Sequence, residues 1–243
     1  MAQFVNDTFT DTDATAVTSH IGETGATWTK HGFATNSTAP AIRSNRLNTE
    51  DTGAVNSVYY ASGSPASADY TVSLGYVPGS GGAQVGDIVG PLGRVNTGAN
   101  TFYGALYLTS ASGIRLYRFA AGTGTVIVAA VAFTPVSGTT YTITLDIQGA
   151  GATVTVAGRV QRSSDGFWLN SSGTFVSGQT NFGSFGDTDG TRITAAGKAG
   201  FWTLGGHTND GAKFKIDSFS ADDVAAGGLS VPVVMNQYRQ RSA

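Results

Sequence analysis

The sequence contains no cysteine, only 6 prolines and 2 methionines, and charged residues fill 12% of its 243 positions. Without cysteine there is no disulfide framework, no cysteine nucleophile and no thiolate zinc site. Charge stands at about half the usual quarter of a globular domain. The balance of 14 Lys+Arg against 16 Asp+Glu leaves a formal net charge of −2, which removes the electrostatic case for a nucleic-acid partner. A disordered chain combines low hydrophobicity with high net charge; here hydrophobic residues make up 40%. Long apolar runs are missing as well. The longest, VIVAAVAF at 126–133, is far too short to span a bilayer, so no membrane insertion is expected. The opening MAQFVNDTFTDTD has neither a basic n-region nor an apolar h-region, so synthesis in the cytoplasm without a signal peptide is expected.

What the chain does have is 34 glycines and many short alternating runs. Apolar residues at helical spacing never persist for three turns. The period of two that marks half-buried strands recurs instead at 70–77, 102–108, 114–119, 140–147, 152–157, 199–204 and 214–219. Along 102–108, Phe102, Gly104, Leu106 and Leu108 share one face, and Tyr103, Ala105 and Tyr107 share the other. Glycine-centred turn signals lie between nearly all these runs, and Gly149-Ala150-Gly151 reads as a hairpin loop. Strands joined this way favour an all-β, two-sheet antiparallel β-sandwich or jelly roll. No linker interrupts the series, so residues 1–223 read as one domain and 224–243 as a C-terminal tail.

The strand order carries a family resemblance. The segments IVGPLGR (88–94), FYGALYL (102–108), GIRLYRF (113–119), GTTYTITLD (138–146) and ATVTVAG (152–158) follow one another. GKAGFW (197–202) and KIDSFS (215–220) close the series, and FVNDTF (4–9) opens it. This pattern resembles the laminin-G-like branch of the concanavalin A-like lectin/glucanase superfamily. The resemblance implies two antiparallel sheets packed face to face, paired terminal strands, and a concave sheet that often carries a sugar site. It also implies one structural calcium near the terminal strands, which places Asp217 at the metal with Asp7 and Gly53 as companions.

Glucanases of this superfamily carry Glu-x-Asp-x-x-Glu on one strand, since glycoside cleavage uses two carboxylates. This chain has only Glu23 and Glu50, and Asp146 is alone on its strand, so a non-enzyme is expected. The three histidines, His20, His31 and His207, come with no Gly-x-Ser-x-Gly elbow and read as ordinary loop or surface residues. A sugar face needs aromatic platforms beside planar polar groups. Tyr103, Tyr107 and Trp168, with Arg94 and Arg115, are the candidates. The two tyrosines fit a sugar platform and a sandwich core equally, whereas Phe102, Leu106, Leu116, Phe119, Phe201 and Ile216 read as core.

The tail, LSVPVVMNQYRQRSA, is apolar and then basic. Val231, Val233, Met235, Tyr238, Arg239 and Arg241 suit docking on another chain by strand addition. By exclusion, the reading is a structural or adhesive protein of a phage virion, a capsid decoration, spike or fibre. Homo-oligomerisation and cell-surface glycans are its expected partners. The alternative is a carbohydrate-binding module of a bacterial surface or extracellular protein exported without a signal, and behind it a polysaccharide hydrolase or lyase.

Overall fold

The computed structural model describes residues 2–51, 55–79, 87–205 and 214–224. The first strands are β1 (Gln3–Asp7), β2 (Trp28–Lys30), β3 (Ala41–Ile42), β4 (Leu47–Asn48), β5 (Asn56–Ala61) and β6 (Tyr70–Val77). The middle of the chain gives β7 (Ile88–Asn96), β8 (Thr101–Leu108), β9 (Gly113–Ala120), β10 (Thr123–Ala132), β11 (Tyr141–Gln148) and β12 (Val154–Arg162). Then follow β13 (Trp168–Leu169), β14 (Phe175–Val176), β15 (Gly183–Asp187), β16 (Lys198–Leu204) and β17 (Lys215–Asp223). The described helical turns are two short 3-10 segments, Val17–Ser19 and Thr109–Ala111.

The strands form two antiparallel sheets. One runs β14-β13-β12-β11-β6-β17-β4-β3, with β1 on β17 and β15 on β12; the other runs β10-β9-β8-β7-β16-β5-β2. This is the expected jelly-roll sandwich. The terminal strands pair, Asp7 opposite Phe219. The 149–151 hairpin joins β11 to β12 in unbroken register from Tyr141↔Arg162 to Gln148↔Thr155.

Alternation places every second side chain between the sheets. From β8 these are Tyr103, Ala105 and Tyr107, which join Leu116, Ile143, Leu145, Phe201, Ile216 and Phe219 in one core. Rings cross the gap: Trp28 of β2 meets Phe219 of β17 at 5.0 Å, and Tyr76 of β6 stacks on Tyr107 of β8 at 6.4 Å. Full burial of one such aromatic contributes about 2–3 kcal/mol.

The opposite face of β8 differs from expectation. Phe102, Leu106 and Phe119 are buried, but outside the sandwich, in a second cluster with Val58, Leu92, Val95 and Trp202. Phe33 closes over it, edge-on to Trp202 at 5.1 Å and to Phe102 at 6.0 Å. The physical reason is that the segment carrying Phe33 folds back on this face, anchored by His31 N–H to the Val58 carbonyl and Thr35 N–H to the Asn56 carbonyl. Both faces of the seven-stranded sheet are therefore apolar.

Candidate functional site

The site begins with an irregularity in β7. The strand loses register with β8 between Gly93 and Asn96, and with β16 between Lys198 and Gly200. Such bulges bend a strand and re-aim its side chains. Here Arg94 takes φ +52°, a left-handed backbone, and its guanidinium turns under the strand end, where it is 0% exposed. Gly197, at φ +61°, lies so close to the Arg94 backbone that a Cβ would overlap it.

Arg94 ties three loops together. Its Nε and Nη2 donate to the Ala68 carbonyl at 3.1 and 2.8 Å, Nη2 donates to the Gly149 carbonyl at 2.7 Å, and Nη1 to the Ile193 carbonyl at 2.5 Å. Asp69 stands 3.8 Å away as counter-ion. Burial pulls the arginine's pKa down, against the stabilising charge of its neighbours. The Arg94 N–H also donates to the Tyr70 hydroxyl, which in turn donates to the Ala196 carbonyl at 2.9 Å.

The splayed strand ends leave a cleft of about 300 Å³ over this arginine. Its apolar wall is Val95, Ile193, Ala195 and Gly197. Its polar rim is Asn96, Thr97, Thr101 and Lys198. Asn96 is fixed as a turn residue, its Oδ1 accepting the Gly98 N–H at 2.9 Å and its carbonyl bonded to His31 Nε2 at 2.9 Å. Thr101 Oγ1 accepts the Ala121 N–H at 3.0 Å. Lys198 Nζ donates to the Ser62 carbonyl at 2.7 Å and to Ser64 Oγ at 2.5 Å. A concave, amphipathic site of this size with a few fixed polar groups is the usual form of a small-ligand site.

The residues singled out from sequence are not brought together. Tyr103 and Tyr107 are core residues, not a solvent-facing platform, and burial pushes the Tyr107 hydroxyl up to about 12. Tyr103 acts as a buried post. Its hydroxyl donates to Asp187 Oδ2 at 2.7 Å and accepts the Ile193 N–H at 3.0 Å, while Arg118 Nη1 donates to Asp187 Oδ1 at 2.7 Å. It thus fixes one end of the 193–198 loop without facing the cleft. Arg94 reaches the cleft only as its floor, with four of its five guanidinium N–H donors bonded to carbonyls. Arg115 lies half-buried on the outer face of β9, its Nη1 3.3 Å from the Tyr117 hydroxyl. Trp168 is half-buried on β13, in the other sheet. Asn96, Thr97, Thr101 and Lys198 were not singled out. The sequence cue to the first three is the polar stretch NTGANT at 96–101 between two apolar strands.

The two described donors that the resemblance assigns to calcium, Asp7 and Asp217, are engaged within the chain. Asp7 is 0% exposed and both its oxygens are taken: Oδ2 by Trp28 Nε1 at 2.6 Å, and Oδ1 by the Phe9 N–H at 2.7 Å and His20 Nε2 at 2.9 Å. Asp217 accepts from Arg46 Nε at 2.7 Å. Among the described residues no group of three or more His, Asp or Glu could hold a metal ion. Gly53, His207 and the tail residues Val231, Val233, Met235, Tyr238, Arg239 and Arg241 lie outside the described residues.

His20 is the other side of the Asp7 cluster. It is buried, and its Nδ1 meets Asp11 Oδ2 at 3.1 Å. Burial disfavours the imidazolium, but the bonds to Asp11 and Asp7 outweigh it and hold the pKa above its ordinary value.

No protein-family model matches the sequence, and a search of curated proteins finds no relative. Solved structures do match. The exoplasmic/lumenal domain of VIP36, in a Ca2+/Man2-bound form, superposes at TM-score 0.53 and 10% identity over 92% of this chain and 91% of that one. This shares the fold. The carbohydrate-binding module CBM66 of Bacillus subtilis aligns at TM-score 0.48 and 14% identity, over 81% and 95% of the two chains. A xylan β-1,4-xylosidase from Bacillus halodurans aligns at TM-score 0.46 and 9% identity, over 74% of this chain but 33% of that one. These similarities lend no support to the virion setting.

Proposed function

We propose that this chain is a glycan-binding β-sandwich and that its site is the cleft between the 96–101 turn and the 193–198 loop. The cleft carries the reading. A sugar is amphipathic, with C–H faces that pack on apolar surface and hydroxyls that need fixed partners. Val95, Ile193 and Ala195 offer the first, and Asn96, Thr97, Thr101 and Lys198 offer the second. The volume of about 300 Å³ suits one or two sugar units. The floor is rigid because Arg94 fastens the loops that form it, so little ordering cost opposes binding. The fold shared with the mannose-bound VIP36 domain is consistent with this role.

Binding of the purified chain to a glycan array tests the reading. Defined hits are expected, and Asn96→Ala or Thr97→Ala should weaken them about five- to tenfold, the loss of one hydrogen bond. An array without hits, or hits indifferent to both substitutions, would overturn it.

A second reading, assembly with other chains, is favoured by β10. This strand ends the seven-stranded sheet and pairs with β9 alone among the described residues. It carries no charge or proline along TGTVIVAAVA, and Val126 is 44% exposed. Protein edges are ordinarily blunted by such residues. Sedimentation of the wild-type chain against Val126→Lys would separate oligomer from monomer.

A further inference from the structure

Arg43, Arg46, Arg94, Arg118, Arg159 and Arg162 each stand within 4 Å of a carboxylate. Among the other described cations, Lys30 bonds the Asn36 carbonyl and Arg115 the Tyr117 hydroxyl, and Lys198 and Arg192, at the two ends of the loop that walls the cleft, likewise have no carboxylate partner. Lys198 bonds only the Ser62 carbonyl and Ser64 Oγ. Arg192 bonds only the Gly151 and Asp189 carbonyls. The residues lining the cleft include two cations, Arg94 and Lys198, and no carboxylate.

This arrangement has a sign. Asp69 offsets the Arg94 charge but is itself engaged by the Gly149 N–H at 2.7 Å. Asp189, the nearest acid along the loop, is drawn away by Arg118 at 3.4 Å and by Thr191. The cleft lining thus carries one lysine with no carboxylate partner and no acid of its own, and a concave wall of that sign focuses an attractive field on anions. An ammonium held by a carbonyl and a hydroxyl still has a hydrogen to donate, and a charge-assisted bond to a carboxylate or sulfate is about twice as strong as a neutral one.

We infer that the cleft is selective for an acidic glycan, whose uronate carboxylate or sulfate ester docks against Lys198. This rests on the glycan reading of the same cleft. Neutral sugars would fit the walls but leave the lysine without its anion.

The test is calorimetric titration of the whole chain with three probes of similar length: an oligogalacturonate, a sulfated heparin-derived oligosaccharide and a neutral mannan oligosaccharide. Tighter binding of one or both acidic probes is expected, by about tenfold over the neutral one. The arm that wins distinguishes carboxylate from sulfate. Affinity for that probe should fall as salt rises from 50 to ~300 mM. Lys198→Gln should erase the preference, and Lys198→Arg should keep most of it. The salt series needs no variant, so it remains decisive if Lys198→Gln fails to fold. Equal affinity for all three probes without salt dependence overturns the acidic preference and leaves the glycan reading standing. No binding by any probe overturns both.

Discussion

Two buried charges hold two corners of this sandwich, and they do so in opposite ways. At one corner Asp7 is enclosed by an indole N–H, a backbone N–H and an imidazole. At the other, Arg94 is enclosed by the carbonyls of Ala68, Gly149 and Ile193. Both residues have the chemistry of a binding site, a metal ligand in one case and a sugar-bonding guanidinium in the other. Both are instead engaged by groups of their own chain. A buried charge is tolerated only when paired or hydrogen-bonded throughout, and that same saturation removes it from ligand chemistry. The corners differ in what surrounds them. Around Asp7 aromatic rings pack closely, Phe9 on Trp28 at 5.9 Å. Above Arg94 the bulge in β7 splays the strand ends, and a cleft results.

The largest effect is expected from Arg94→Met. Three carbonyls would lose their donors and Asp69 its counter-ion, so the folding free energy should drop by about 3 kcal/mol or more. Urea unfolding would read it, and the cleft should lose its ligand with the fold still intact in low denaturant. Asp7→Asn comes next, at about 2 kcal/mol, because a neutral amide holds the imidazolium less strongly. It should also lower the His20 pKa, which an NMR titration of the ring would follow.

Gly197→Ala separates the floor from the wall. The positive φ and the nearby Arg94 backbone should make it cost about 1–2 kcal/mol. Because the strain falls on the cleft wall, glycan affinity should change while the Asp7 corner is untouched.

The smallest effect is a pH dependence. His20 is raised above its ordinary 6.5. Its contribution to stability is therefore complete below pH 6.5 and is lost as pH rises through the folded-state value. Both ring nitrogens face carboxylate oxygens, so the neutral ring satisfies only one of them. Asp11 acts in the opposite sense. Its bond to His20 lowers its pKa, and its contribution is lost at acid pH. Unfolding curves from pH 5 to 9 should show wild-type stability declining on the alkaline side, and His20→Gln should flatten that decline, with a loss of about 1 kcal/mol at pH 6.

The strands were legible because period-two alternation is local. The run 70–77 coincides with β6, and 102–108, 114–119 and 199–204 sit within a residue of β8, β9 and β16. Which face turns inward was not legible on β8. Both faces are apolar, and the choice depends on Phe33, 69 residues before Phe102 in the chain, closing over one of them. The wholly apolar run VIVAAVAF lies largely on the edge strand β10, with Val126, Ala129, Ala130 and Ala132 exposed, since periodicity says nothing about position in a sheet. The cleft was missed for a similar reason. Bulges leave little trace in a sequence when the bulged residue is an arginine, and the rim residues are ordinary turn formers. Arg94 and Asp7 drew notice as chemical groups, but the partners that consume them come from distant loops.

The central claim is that the cleft above Arg94 is the ligand site. Backbone amide shifts of the chain, followed during titration with an oligosaccharide that binds, test it most directly. Shifts confined to 96–101 and 193–198 are the predicted result. Shifts centred on Arg115 and Tyr117, or on Trp168, with the cleft unmoved, would contradict it.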